Sequence, residues 1–324
     1  MSGWLRARRI ESVVEAVGDT PLLRLRNVTK NAPDVPVYAK LEFENPGGSV
    51  KDRAALRMIL DAQKDGRLTK DKILIDSTSG NTGVAYSLFG AALGIKVHLV
   101  MPSNVSKPRK DIAGAFGTEI IYSDPLEGSD GAIRLAKKIV DADPDRDFYP
   151  DQYANPSNPL AHYLGTGPEI LRDVGDRITH FVAGLGTSGT MMGTARRLKE
   201  HHRPIRCVAV EPDSPLHGLE GLKHMASSIV PPIYDPKAHD EVMPVSTEDG
   251  WEMADRVASE EGLHVGHSSG ANLFAAVKIA ERLQAEGRAG CVVAIVCDRG
   301  DRYFSPLRWE KKYVWGGPKD RGPR

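Results

Sequence analysis

The chain has few cysteines, and they do not form a pattern that a metal site would require. Only three occur in 324 residues, and they stand far apart in apolar segments: Cys207, Cys291 and Cys297. Cysteine ligands of metals recur at short, characteristic spacings, so the sequence indicates no metal centre. We expect three buried, unreactive thiols.

A bias toward one sign of charge is also missing. Lys plus Arg and Asp plus Glu both number 43, which gives a formal net charge of zero. Proteins that bind nucleic acid or anionic membrane surfaces usually carry a basic bias, so neither partner is expected. No apolar run follows Met1, and no stretch approaches the ~18 apolar residues of a membrane span. The predicted location is the cytoplasm.

Internal repeats and low-complexity segments are absent as well, and strand patterns alternate with helix patterns along the chain. This alternation predicts an α/β fold with mainly parallel sheets covered on both faces. A length of 324 residues suggests about two domains, and the Asp-Pro-Asp stretch 143–145 with the polar run that continues to 155–159 is expected to mark a crossing between them. The predicted strands are 37–42, 73–75, 97–100, 120–122, 179–183, 205–211 and 291–297.

One lysine lies in a small, polar loop between a predicted strand and a predicted helix. The loop, residues 44–53, reads Glu-Asn-Pro-Gly-Gly-Ser-Val-Lys-Asp-Arg, and the helix begins near Asp52. An amine that is partly removed from water, beside Lys40 and near a helix N-terminus, becomes nucleophilic. Lys51 is therefore a candidate to hold an aldehyde cofactor, although the loop in isolation is more typical of a solvated lysine.

Two further loops have the outline of anion-binding sites. Residues 78–83 read Thr-Ser-Gly-Asn-Thr-Gly and residues 184–190 read Gly-Leu-Gly-Thr-Ser-Gly-Thr, each between a strand and a helix. Small residues allow backbone N–H groups to approach an oxyanion, and the helix adds a partial positive charge. One loop therefore suits a carboxylate and the other a phosphate.

The second loop also fits a different class of protein. Gly184, Gly186 and Gly189 have the spacing of a dinucleotide-binding motif, and Glu211 ends the next strand, 22 positions after Gly189. Both features are typical of NAD-dependent oxidoreductases. That interpretation leaves the lysine loop and the loop 78–83 without a role, so it is the weaker one.

In this order, the three loops resemble those of the fold-type II pyridoxal-phosphate enzymes, in the cysteine synthase and cystathionine β-synthase branch. The resemblance begins at 18–22 (Gly-Asp-Thr-Pro-Leu), includes 151–153 (Asp-Gln-Tyr) and ends at 266–271 (Gly-His-Ser-Ser-Gly-Ala). It implies two doubly wound α/β domains with pyridoxal 5'-phosphate in the cleft between them. The implied division is a smaller domain, 44–155, a larger domain, 1–43 plus 156–310, and a C-terminal tail, 311–324.

The resemblance also implies roles for individual residues. Lys51 would carry the cofactor as an internal aldimine and act as the general base, and Asn81 would hydrogen-bond the ring oxygen. Ser268 would face the pyridine nitrogen, where a hydroxyl, unlike a carboxylate, does not keep the ring protonated and so favours loss of a β-leaving group. The implied phosphate ligands are Gly186, Thr187, Ser188, Gly189 and Thr190. The implied substrate ligands are Thr78, Ser79, Asn81, Thr82 and Gln152.

The implied reaction is a β-replacement that makes L-cysteine from an activated serine and sulfide through an aminoacrylate. O-acetylserine and O-phosphoserine are both candidate donors, because Lys223, in the irregular stretch 213–236, could bind a phosphate. Phosphoserine sulfhydrylases of the mycobacterial type carry an arginine there. The alternatives are cystathionine β-synthase, which uses serine and homocysteine, and a non-catalytic descendant. Family members are typically homodimers. We assign no chemistry to the histidines in or near these motifs, His162, His217 and His267.

Overall fold

Ten strands and nine α-helices lie in the part of the chain that the computed structural model describes, residues 9–78, 80–105 and 107–303, with backbone only at 107–109 and 129. The strands are β1 (Leu22–Leu25), β2 (Val37–Leu41), β3 (Ile73–Ser77), β4 (Lys96–Pro102), β5 (Glu119–Ser123), β6 (Asp147–Phe148), β7 (His180–Gly184), β8 (Arg206–Pro212), β9 (Glu241–Val245) and β10 (Val292–Val296). The α-helices are α1 (Lys51–Lys64), α2 (Asn81–Leu93), α3 (Lys107–Ala115), α4 (Gly128–Ala142), α5 (Ser157–Ala161), α6 (Gly167–Val174), α7 (Gly189–His201), α8 (Thr247–Glu261) and α9 (His267–Ala285).

The strands form two sheets. The larger sheet has the order β1-β2-β10-β7-β8-β9, and the smaller has the order β5-β4-β3-β6. All neighbours are parallel except β1, which runs antiparallel to β2. The predicted α/β class, with two domains and mainly parallel sheets, is confirmed. The domain boundaries stay a prediction, and the tail 311–324 lies outside the described residues.

Helices cover both faces of the larger sheet. In β10, Val292, Ala294 and Val296 pack with residues of α8 and α9, whereas Val293 and Ile295 pack with residues of α6 and α7. A strand that is buried on both faces needs apolar side chains at every position. This explains the continuous apolar run from which the strand was predicted.

The smaller sheet is covered in the same way. Leu74 of β3 packs with residues of α1 and α2, and its neighbour Ile75 packs with Ala132 and Ala136 of α4. Helix α1, which begins at the predicted lysine loop, also contacts α5. Because α5 in turn contacts α7 of the larger sheet, these helices connect the two layers.

The polar run 155–159, expected to lie at the crossing between the domains, leads into helix α5, which contacts helices of both layers. Asn155 Oδ1 accepts a hydrogen bond from the Ser157 N–H (3.0 Å), which caps the start of α5. The helix continues through a π-helical turn, His162–Thr166, into α6. Proline in the first helical turn lacks only an N–H group that would have no partner there, so Pro156 and Pro159 do not prevent the helix.

A buried cluster of charged side chains lies between β2, α1 and α6. Arg53 donates to Glu42 (Nε to Oε2, 2.5 Å) and to Glu169 (Nη1 to Oε1, 2.7 Å), and Lys40 Nζ lies 2.8 Å from Glu169 Oε2. Burial alone would raise the pKa of Glu169, but Arg53 and Lys40 lower it to about 2. The charge of Lys40 is therefore engaged by Glu169, and its expected influence on Lys51 stays a prediction.

Candidate active site

The predicted site loops follow the carboxyl ends of parallel strands. Strands β2, β10 and β7 are neighbours in the larger sheet, and the lysine loop pairs with the segment that follows β10. The Val50 N–H donates to the carbonyl oxygen of Cys297 (2.8 Å), and Ser49 forms an antiparallel bridge with Asp298. This edge of an open α/β sheet is where such folds bind ligands.

Lys51 is held in place by its own loop. Its N–H donates to Ser49 Oγ (3.2 Å), and its side chain is partly buried at the first position of α1. The buried Asp52 accepts a hydrogen bond from the Gly47 N–H (2.5 Å), and burial raises the pKa of Asp52 to about 7. A Cβ atom at Gly47 would collide with this carboxylate. The two glycines of the loop are thus required by close packing at 47 and by a positive φ (79°) at Gly48.

The predicted carboxylate loop places its side chains at the start of α2. Thr82 Oγ1 donates to Gln152 Oε1 (2.9 Å), so the two predicted substrate ligands are in direct contact. Gln152 follows Asp151, which adopts a positive φ of 48°. Strained backbone of this kind is concentrated at functional sites. Thr78 is half-buried at the end of β3, whereas Ser79 lies outside the described residues.

The predicted phosphate loop is closely packed. A Cβ atom at Gly186 would collide with the Gly221 carbonyl oxygen, and one at Gly189 would collide with Asn158 Oδ1. Asn158 also donates to Thr187 Oγ1 (3.0 Å), so its amide fixes the threonine hydroxyl. Sequence reasoning gave Asn158 no role, because nothing local connects it with a loop 29 positions away.

Ser188 has the features of an anion ligand. It precedes α7 with a positive φ of 70°, and its buried hydroxyl has no hydrogen-bond partner within the described residues. A buried hydroxyl without a partner is unfavourable unless a ligand satisfies it. The hydroxyl lies at a helix N-terminus, where anions are favoured. The loop therefore fits a phosphate group, and with Lys51 and Ser268 nearby the residues fit pyridoxal 5'-phosphate.

His162 supports the same loop as a neutral side chain. Its Nδ1 lies 2.9 Å from Thr166 Oγ1 and its Nε2 lies 3.3 Å from Thr190 Oγ1. Burial, and then the charge of Arg53, lowers the pKa of His162 to about 3. The ring is therefore uncharged at neutral pH and positions Thr190 without adding a charge to the phosphate loop.

Ser268 lies in the first turn of α9, buried beside the sulfur of Cys297, to which its hydroxyl is hydrogen-bonded. The expectation of three buried thiols is wrong for Cys297, which is only half-buried because it follows β10 at the site edge; Cys207 and Cys291 are buried. Burial raises the pKa of Cys297 to about 11, so the group stays a thiol at neutral pH.

Lys223 lies in the irregular stretch 213–236, beside Tyr153. Its Nζ is 5.0 Å from the centre of the Tyr153 ring, next to Gln152, and burial lowers its pKa. Its N–H donates to the Leu185 carbonyl oxygen (2.7 Å), which ties the irregular stretch 213–236 to the phosphate loop. Glu211, the acidic residue of the dinucleotide interpretation, accepts a hydrogen bond from the Met225 N–H (3.1 Å).

Three other features bear on the class of protein. The His267 ring packs at a tilt against the rings of Trp251 (centroids 4.9 Å apart) and Tyr303 (5.1 Å). No group of three or more potential metal-ligating side chains occurs in the described part of the chain. None of the described helices combines the length and apolar character that a membrane crossing needs.

Comparison with known proteins agrees with this geometry. The model of the family "Pyridoxal-phosphate dependent enzyme" matches residues 13–298. The chain is 47% identical to a cysteine synthase of Aquifex aeolicus, with 93% of each chain covered. It is 38% identical to cysteine synthase B of Escherichia coli, with 91% of this chain and 95% of the relative covered. A crystal structure of cysteine synthase from Entamoeba histolytica superimposes with a TM-score of 0.91 at 36% identity, covering 96% of this chain and 94% of that one.

Proposed function

Because the chain belongs to the pyridoxal-phosphate dependent enzyme family, we propose that it is a cysteine synthase, which makes L-cysteine from an activated serine and sulfide. The observation that carries the proposal is the fit of the site to the cofactor. A partly buried lysine, a glycine-threonine loop in which the Ser188 hydroxyl has no partner among the described residues, and a buried serine at 268 meet at one sheet edge.

The proposed roles follow from these positions. When bound, pyridoxal 5'-phosphate supplies an electron sink for negative charge at the substrate α-carbon. Lys51 holds the cofactor and moves the α-proton, since an amine is a competent general base once it has lost its proton. The loop residues Gly186, Thr187, Ser188, Gly189 and Thr190 hold the phosphate, and Ser268 faces the ring nitrogen.

The substrate carboxylate is proposed to bind between α2 and residue 152. The Thr82 hydroxyl donates to Gln152 Oε1, so the amide oxygen is occupied and the Gln152 NH₂ group is left to donate. An anion at this position would therefore meet hydrogen-bond donors, as a carboxylate requires. The proposed carboxylate ligands are Thr78, Ser79, Asn81, Thr82 and Gln152, with Thr82 donating through its backbone N–H because its hydroxyl proton goes to Gln152.

We further propose that O-phosphoserine is a donor beside O-acetylserine. The support is Lys223, a half-buried cation that stacks on Tyr153 one residue from Gln152. A phosphate dianion needs a cation, and an ammonium supplies one. An acetyl group carries no charge and has no comparable need.

The specificity constants of the parent enzyme and of Lys223→Ala test both the proposed reaction and the proposed use of O-phosphoserine. They are measured for O-phosphoserine, O-acetylserine and serine, each with sulfide and with homocysteine. We expect cysteine formation from the activated donors, and a loss of ~10-fold or more for phosphoserine alone in Lys223→Ala, equivalent to roughly 1.4 kcal/mol. Lys237 is an exposed lysine, and Lys237→Ala is the matched control.

The results distinguish failure of the proposed donor from failure of the proposed reaction. Equal losses on both donors, or no phosphoserine activity in the parent, would leave acetylserine as the donor and Lys223 as a surface charge. Activity only with serine and homocysteine would instead identify a cystathionine β-synthase. We also propose a cytoplasmic homodimer, as family members typically are; light scattering coupled to size exclusion tests the assembly.

A further inference from the structure

The side-chain amide of Asn81 is held from two directions by one segment of the chain. Asn81 Nδ2 donates to Asp298 Oδ2 (2.6 Å), and Asn81 Oδ1 accepts a hydrogen bond from Arg302 Nη1. Asp298 and Arg302 follow β10 of the larger sheet, whereas Asn81 begins α2, which packs on the smaller sheet. The amide is therefore a contact point between the two layers.

The same segment also holds the lysine loop. Arg302 Nη2 donates to the Gly47 carbonyl oxygen, and Ser49 is bridged to Asp298. The Tyr303 hydroxyl donates to Asp298 Oδ2, beside the Asn81 amide. Residues 298–303 thus fix the loop that carries Lys51 and the loop that carries Asn81 relative to each other.

The charges of these neighbours determine which way the amide points. An amide has one acceptor oxygen and two N–H donors. If the Asn81 amide were flipped, its oxygen would face the Asp298 carboxylate and its NH₂ group would face the Arg302 guanidinium, so both contacts would be repulsive. In the observed orientation the oxygen and one N–H are occupied, and the other N–H has no partner within the part of the chain that the structure describes.

We propose that Asp298 and Arg302 are positioning residues that fix Asn81 as a hydrogen-bond donor toward an anionic oxygen in the cofactor site. The inference rests on the proposed function, because the anionic oxygen would be that of pyridoxal 5'-phosphate or of the substrate carboxylate. Asp298 is 1% exposed, and a carboxylate so deeply buried needs the hydrogen bonds that it receives from Asn81 and Tyr303 and the positive charge of Arg302 near it. Asp298 and Arg302 act through Asn81 and need not touch the ligand.

A double-mutant cycle tests this role. The dissociation constant of pyridoxal 5'-phosphate is measured by equilibrium dialysis of cofactor-free protein for the parent, Arg302→Met, Asn81→Ala and the double variant. We expect Arg302→Met to weaken binding at least about fivefold in the parent and less than about twofold in Asn81→Ala, because its target is then missing. Arg302→Lys should restore part of the affinity.

One further variant serves as a control and another as a substitute. Arg299→Met removes an exposed guanidinium of the same segment and should leave the dissociation constant unchanged. If circular dichroism shows that Arg302→Met does not fold, Asp298→Asn replaces it in the same cycle. The visible to near-ultraviolet absorbance ratio of bound cofactor gives a second readout, which should shift in Arg302→Met and not in Arg299→Met.

If Arg302→Met weakened cofactor binding by the same factor in the parent and in Asn81→Ala, or had no effect in either, the inference would be overturned and the proposed function would stand. A parent protein that bound no pyridoxal 5'-phosphate would overturn the proposed function and the inference with it.

Discussion

Replacing Thr187 and Thr190 by alanine tests the phosphate loop through cofactor affinity. Thr187 Oγ1 accepts a hydrogen bond from Asn158, so its own proton is available to an anionic oxygen. Thr190 Oγ1 lies beside the neutral ring of His162 (3.3 Å), which holds the hydroxyl in the first turn of α7. A hydrogen bond to a charged group contributes about 1.5–3 kcal/mol, so each substitution should weaken cofactor binding by roughly tenfold to one hundredfold.

Equilibrium dialysis of the cofactor-free variants against pyridoxal 5'-phosphate measures this loss directly. Thr194→Ala is the matched control, because Thr194 lies on α7 beyond the loop and its buried hydroxyl has no hydrogen-bond partner in the described residues. It should bind the cofactor as the parent does. Unchanged affinity in both loop variants, or an equal loss in Thr194→Ala, would refute the assignment of the loop.

Two further predictions concern buried groups. Glu169→Gln should destabilise the fold at neutral pH by about 3 kcal/mol, because it removes a carboxylate from Arg53 and Lys40. The pKa of Glu169 is held at about 2 against an ordinary 4.5, so its contribution to stability is present above pH 4.5 and lost as the pH falls through about 2. Urea unfolding measures the difference in free energy of unfolding between the parent and Glu169→Gln, and a difference that stayed constant down to pH 2 would contradict this. Ser268→Asp should slow β-elimination yet retain cofactor, because a carboxylate keeps the pyridine nitrogen protonated; an unchanged rate of donor consumption in stopped-flow absorbance would disprove the electron-sink argument.

Elements with a strong apolar pattern could be predicted from the sequence, and weakly patterned elements could not. The strand at β10 is apolar at all five positions, and it was predicted as 291–297. Strand β6 has only two residues, and β9 is half-exposed with Pro244 inside it, so neither has a pattern that stands out. Helix α5 was missed because its prolines are typical of loops, whereas the Asn155 cap is recognised only in the structure.

The residues of the candidate site also divide into those that local sequence patterns reveal and those that they do not. The lysine loop and the two anion loops are local patterns, so sequence reasoning reached them. Asn158, Asp298 and Arg302 were missed because their partners are distant in the chain; Asn81 and Asp298, for example, are 217 positions apart. Their roles arise where the carboxyl ends of strands from two sheets meet, which no local spacing encodes.

The most direct test of the account is the formation of L-cysteine by the parent enzyme and by Lys51→Ala, each with pyridoxal 5'-phosphate, an activated serine and sulfide. Lys64→Ala, an exposed lysine at the end of the same helix, is the control. We expect Lys51→Ala to lose the visible absorbance of lysine-bound cofactor and at least ~10²–10⁴-fold in rate, while Lys64→Ala behaves as the parent does. Cysteine formation by Lys51→Ala at the parent rate would show that Lys51 neither holds the cofactor nor moves the α-proton.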